Sequence, residues 1–98
     1  TQMTYKLAFK ASALREWQGL DGSIRGQFKK VLLRRLEAPR VDAAALSGMP
    51  NCYKIKLKAL GYRLVYEVVD QTVTVTVIAV DKRERGEVYD SARNRREK

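Results

Sequence analysis

The apolar positions of this chain change period several times, and each change marks an element. Tyr5-Lys6-Leu7-Ala8-Phe9-Lys10 alternates with period two, the pattern of a strand. Ser12 is then placed to cap a short helix running through Trp17, with Leu14 and Trp17 on one face at spacing three. Residues 19–23 interrupt the pattern. From Ile24 the positions Ile24, Phe28, Leu32 and Leu36 follow a helical i, i+4 ladder, with Val31 alongside. Arg25, Lys29, Lys30, Arg34 and Arg35 fill much of the rest of that helix, as a solvated or diffusely electrostatic face. Pro39 stops it near Glu37 or Ala38, because the residue before a proline is pushed out of helical geometry. Residues 40–51 read as a loop anchored to the core by Leu46 and Met49.

Three strands follow. In Tyr53-Lys54-Ile55-Lys56-Leu57-Lys58 every second residue is lysine and every other one apolar, which gives a strand with two distinct faces. From Tyr62 to Val69 the even positions Tyr62, Leu64, Tyr66 and Val68 are apolar, and a turn at Asp70-Gln71 leads into a Thr/Val-rich run ending at Val80. The remainder is densely charged, with Val88, Tyr89 and Ala92 as a narrow stripe for a short C-terminal helix. The order strand, two helices, three consecutive strands, helix predicts a small α+β domain whose two helices pack on an antiparallel sheet built mainly from the last three strands. Residues 3–98 are expected to form that single domain, with Met3 as the natural start and Thr1 and Gln2 as leftovers of cloning.

Hairpin pairing then gathers particular residues. Centring the first hairpin on Ala59 and Leu60 sets Ile55 opposite Leu64, Lys56 opposite Arg63 and Leu57 opposite Tyr62. Lys54, Lys56 and Arg63 then share the face turned away from the helices. A two-residue turn at Asp70-Gln71 would pair Arg63 with Ile78, so that the chain leaving the last strand emerges beside the 58–61 loop and delivers Arg83, Arg85 and Tyr89 to the same end of the sheet.

Composition sharpens the picture. Twenty Lys and Arg stand against 11 Asp and Glu in 98 residues, with no histidine, for a net charge of +9. Such an excess draws polyanions: nucleic acid, an anionic membrane surface or an acidic protein. No apolar run approaches the ~20 residues that span a bilayer, and nothing at the N-terminus resembles a secretory signal. The single cysteine, Cys52, cannot close an internal disulfide, which suits a reducing cytoplasm, and it reads as a small apolar residue. Without histidine, no zinc site, no Cys-His nucleophile and no cofactor are expected. Trp17 and Phe28 are expected in the core. Crowded cations that repel one another are natural holders of a phosphate, although alternating lysines also serve simply to keep an exposed sheet soluble.

Three blocks taken together go further. Gly48-Met49-Pro50-Asn51-Cys52-Tyr53-Lys54-Ile55-Lys56-Leu57, Gly61-Tyr62-Arg63-Leu64-Val65-Tyr66-Glu67-Val68 and Asp81-Lys82-Arg83-Glu84-Arg85-Gly86-Glu87-Val88-Tyr89 resemble the RelE toxins of bacterial toxin–antitoxin systems. The resemblance is collinear from about Met3 to Ala92 and includes the segments Leu14 to Trp17 and Leu36-Glu37-Ala38-Pro39-Arg40. It implies a cytoplasmic, ribosome-dependent endoribonuclease that cuts mRNA in the decoding A site, with an antitoxin as protein partner. Position by position it implies Lys54, Lys56, Arg63, Arg83 and Tyr89 as catalytic residues and Arg85 as an RNA contact, with Lys58, Lys29 and Lys30 added to the surface for RNA or ribosome. Ser47 stands where similar toxins often carry a basic residue, and Asp81 where glycine is usual.

The residues themselves constrain the chemistry. RNA transesterification needs a proton removed from the 2′-hydroxyl, charge stabilised on the phosphorane and a proton supplied to the leaving 5′-oxygen. Familiar ribonucleases use His or Glu, whereas cations alone can acidify the 2′-hydroxyl, hold the phosphorane and supply a lysine of depressed pKa as base. Either Lys54 or Lys56 could be that base, with Arg63 on the phosphate oxygens, Arg83 at the transition state and Tyr89 against a nucleobase. Two other readings predict different observations. A non-nuclease toxin of the same superfamily that inhibits a target such as gyrase would lack the Lys54, Lys56, Arg83 and Tyr89 set. A plain RNA-binding module would bind RNA without producing cut ends.

Overall fold

The computed structural model describes residues 4–82. The predicted C-terminal helix, Arg83, Arg85 and Tyr89 lie outside them. Elements run β1 (Lys6–Phe9), α1 (Ala11–Gln18), α2 (Gly22–Glu37), β2 (Cys52–Leu57), β3 (Tyr62–Val69) and β4 (Thr74–Lys82). The sheet order is β1-β4-β3-β2. β2, β3 and β4 are antiparallel neighbours as expected, but β1 lies parallel to β4, so the sheet is mixed.

Alternation divides the core. On one face Ile55, Leu64, Tyr66, Val75, Val77 and Val80 pack beneath the α2 ladder of Ile24, Phe28, Leu32 and Leu36, which the i, i+4 spacing had placed on one side. Trp17 joins this core at its edge, its ring between those of Phe9 and Phe28 at centroid separations of 5.3 and 6.3 Å. On the opposite face Cys52, Val65, Ile78 and Ala79 form a second, smaller cluster closed by Met49 and Leu46, the two anchors expected of the loop.

Two local expectations are corrected. Ser12 does not cap α1: the helix begins at Ala11, Lys10 occupies the cap position, and no side chain caps it. The buried side of α1 runs through Ala13 and Trp17 at spacing four, which leaves Leu14 39% exposed. Glu16, on the same helix, accepts the Val80 backbone N–H at 3.1 Å, supplying a partner to β4 beyond Val77, where pairing with β1 ends.

The third correction concerns the β3–β4 turn. A two-residue hairpin turn of the favoured kind needs positive φ at both central positions, which suits Asn-Gly and not Asp-Gln. The chain instead makes a short 3-10 turn over Asp70–Thr72 and then places Val73 in the left-handed region at φ 50°. Val69 therefore pairs with Thr74, and a bulge opposite the Val65/Tyr66 step adds one more residue to β4. Together they slide β4 by three positions, so Arg63 faces Asp81 and not Ile78.

Candidate active site

Among the described residues β2 is an edge strand, and that fact decides what its lysines can do. Its register with β3 is the one expected from the sequence: Ile55 opposite Leu64, Lys56 opposite Arg63, Leu57 opposite Tyr62. Because Ile55 and Leu64 lie in the helix-side core, Lys54, Lys56 and Arg63 project from the other face beside Cys52 and Val65. Lys54 and Arg63 are half-buried and Lys56 is exposed. The hairpin closes through Gly61, whose φ of 72° suits a residue without a Cβ, and whose N–H donates to the Leu57 carbonyl at 2.9 Å. Lys56, Leu57, Lys58, Gly61, Tyr62 and Arg63 line a shallow cleft around this turn.

The cations act on one another. Lys56 is held below the usual lysine range, chiefly by the charge of Lys54, then by partial dehydration and by Arg63 and Lys58. A larger share of Lys56 is consequently the neutral amine near neutral pH than for an isolated lysine. An anion seated among these groups would relieve their repulsion, which is the physical basis for reading the face as a phosphate site.

Two features of the site were not legible in the chain. The slid register sets Asp81 opposite Arg63, which puts a carboxylate on the lysine-bearing face. The row Lys56, Arg63, Asp81 crosses three strands. Arg35, grouped above with four solvated cations of α2, instead turns inward. It donates to the Tyr66 hydroxyl at 2.9 Å and to the Lys54 carbonyl at 3.3 Å, with its guanidinium carbon 5.9 Å from the Tyr66 ring centroid. That carbonyl sits on the outer edge of β2, where among the described residues no further strand satisfies it. Tyr66 completes the link by donating to the Pro39 carbonyl at 2.7 Å.

Lys29 and Lys30 are exposed on α2, which covers the other face of the sheet, so they are not gathered with Lys54, Lys56 and Arg63. Lys58 is exposed in the turn at the rim of the cleft. The last described residue of β4, Lys82, pairs with Tyr62, which places it beside the 58–61 turn. Among the described residues no three His, Cys, Asp or Glu gather as metal ligands, and no helix is long and apolar enough to cross a membrane.

The far end of the sheet is tied by polar contacts of a different kind. Arg40 pairs with Asp70 at 2.6 Å and donates to Asn51 and Tyr53, while the Tyr5 hydroxyl donates to Asp70 at 2.7 Å. The Tyr5 bond and Arg40 hold the Asp70 carboxyl below its usual range. Four separate segments are joined there with opposite charges satisfied, whereas the Lys56 end carries a surplus of one sign.

Known proteins match this chain along most of its length. Residues 7–86 match the ParE toxin family of type II toxin-antitoxin systems, parDE. The mRNA interferase toxin RelE of Escherichia coli K12 is 56% identical over 90 residues, covering 92% of this chain and 95% of that protein. Among solved structures, a mutant E. coli RelE toxin in the free state superposes with a TM-score of 0.88 at 53% identity, covering 95% of this chain and 98% of that one. The intact E. coli RelBE toxin-antitoxin complex matches with a TM-score of 0.80 at 54% identity, over 83% of this chain and 99% of that one. The chain belongs to the ParE toxin family of type II toxin-antitoxin systems, and within it to the RelE toxins.

Proposed function

We infer that this protein is an mRNA interferase, an endoribonuclease toxin that cuts mRNA held in the ribosomal A site and so arrests translation. One observation carries the reading: a chain 56% identical to an mRNA interferase toxin presents Lys54, Lys56 and Arg63 together on an open sheet face. The gyrase-inhibitor alternative gains nothing from such a face. It predicts no need for a lysine of depressed pKa.

The proposed chemistry follows from those side chains. The Lys56 amine, held partly neutral by Lys54, takes the proton of the 2′-hydroxyl. The 2′-oxygen attacks the adjacent phosphorus, Arg63 and Lys54 hold the added negative charge on the phosphorane, and the P–O5′ bond breaks as the leaving 5′-oxygen takes a proton from water. The products are a 2′,3′-cyclic phosphate and a 5′-hydroxyl end. Arg83 at the transition state, Tyr89 against a nucleobase and Arg85 on the RNA complete the site by resemblance, and Lys58, Lys29 and Lys30 contribute to the basic surface met by RNA or ribosome.

A site of Lys and Arg depends on alignment of the 2′-oxygen with the scissile bond, which a flexible strand seldom adopts. The ribosome supplies that alignment by holding a codon in one path. The cytoplasm is the compartment in which it does so. The E. coli relative is known in complex with its antitoxin, and the +9 charge here suits an acidic wrapping segment as inhibitor. The test gives the same mRNA to the protein at matched salt, either free or on ribosomes with an empty A site. Cutting at one codon only in the ribosomal sample supports the reading; comparable cutting of both overturns ribosome dependence.

A further inference from the structure

Beside the cationic face, around the free edge of β2, a second cleft lies between the end of α2 and the loop that follows it. Arg35, Val41, Ala43, Ala44, Lys54 and Lys56 line it. Three of the six are cations and none is acidic; Asp42 is not among its walls. Lys56 belongs to both clefts, as a wall shared with the one that holds Arg63.

Arg35 is the informative member. Its Nη1 is committed to the Tyr66 hydroxyl and the Lys54 carbonyl, while its guanidinium carbon lies over the Tyr66 ring, 5.9 Å from the centroid. Among the described residues nothing accepts from Nε or Nη2. These two form the edge of a guanidinium that grips a phosphate through two parallel hydrogen bonds. Arginine normally loses much rotamer freedom when it binds an anion, and here the protein has already fixed it. Its charge stands beside two lysines that raise the local positive potential further.

We propose that Arg35 and the β2-edge cleft bind a second, non-scissile phosphate of the mRNA backbone, next to the one cut. This rests on the reading of the protein as an mRNA interferase. An RNA strand crossing the edge of β2 sets one phosphate against Lys56 and Arg63 and a neighbouring one against Arg35. Arg35 is thus a substrate-positioning residue, and it fixes the direction in which the strand crosses the lysines.

The experiment measures single-turnover cleavage of ribosome-bound mRNA by wild-type protein and by Arg35→Gln, across a series of protein concentrations. Each phosphate flanking the scissile bond is replaced in turn by a neutral methylphosphonate. The expected result is a half-saturating concentration raised about tenfold in Arg35→Gln, as loss of one charge-assisted contact implies, with the plateau rate within about twofold of wild type. One flanking methylphosphonate should cost wild type the same factor and cost Arg35→Gln nothing more. Coupling at a defined phosphate is a signature that loss of a merely structural contact does not produce. Arg35→Lys should retain part of the affinity. An unchanged half-saturating concentration, a loss confined to the plateau rate, or additive effects at every phosphate would overturn the proposal. So would a weakened hold on an acidic antitoxin peptide with cleavage unchanged, since the cleft would then serve a protein. Absence of any ribosome-dependent cutting by wild type would instead overturn the functional reading beneath it.

Discussion

Tyr66→Phe removes a single oxygen from the link between the core and the lysine strand, and its consequence can be worked from the contacts. Tyr66 is fully buried and its hydroxyl donates to the Pro39 carbonyl at 2.7 Å while accepting from Arg35 at 2.9 Å. Phenylalanine keeps the ring and leaves no cavity, so packing contributes little. The buried Pro39 carbonyl loses the donor it has among the described residues, at a cost of roughly 1–3 kcal/mol for an unsatisfied group. The half-buried Arg35 recovers part of its loss by hydration, so a total near 2 kcal/mol is expected. For a domain of this size each kcal/mol moves the thermal midpoint by about 4–8 °C, giving a fall of roughly 8–16 °C. Calorimetry and urea unfolding measure it, with Tyr53→Phe as control. Among the described residues the Tyr53 hydroxyl meets only the exposed Arg40, at 3.3 Å, and its removal should cost under about 0.5 kcal/mol. Equal effects of the two substitutions, or a Tyr66→Phe loss below about 0.5 kcal/mol, would refute the argument.

Three further outcomes are expected. The single-turnover cleavage rate should rise with pH and flatten below the usual lysine range; Lys54→Met should move the break upward, because it removes the largest charge depressing Lys56, and Lys56→Met should abolish the rise, so an unchanged profile in Lys56→Met would exclude it as the base. Asp81→Asn should tighten productive binding by about two- to fivefold, since a carboxylate opposite Arg63 opposes a phosphate there, and titration of cleavage against protein concentration reads it. Asp70 has a carboxyl held low in the folded state, so its support is complete above the usual carboxylate pKa of about 3.9 and lost as the pH falls through the depressed value. Thermal midpoints followed from neutral pH downward should therefore drop more steeply below about pH 4 in wild type than in Asp70→Asn.

The sequence made some of this legible and hid the rest for physical reasons. Alternation of lysine with Tyr53, Ile55 and Leu57 is a period-two signal strong enough to fix the β2–β3 register, and with it the company of Lys56 and Arg63. The α2 ladder through Ile24, Phe28, Leu32 and Leu36 was equally plain. The β3–β4 register was not, because the Thr/Val alternation from Thr72 to Val77 survives a two-residue slide unchanged and then gives way to the unbroken apolar run Val77 to Val80, which takes the bulge without a signal. There the turn decides, and the absence of glycine at Asp70-Gln71 was the available clue that two residues would not close it. The parallel pairing of β1 has no local signature, since it depends on where the chain returns after two helices. Arg35 was hidden for another reason. Among five cations on one helix only the position of Tyr66 and of the β2 edge singles it out, and both are tertiary facts.

Transcriptome-wide mapping of RNA 5′ ends after brief induction in growing cells tests the central claim most directly, comparing wild type with Arg63→Gln. New 5′-hydroxyl ends within translated codons, in phase with the reading frame and lost with Arg63→Gln, are the expected result. Ends spread equally over untranslated RNA, or growth arrest with DNA breakage and no new RNA ends, would contradict it.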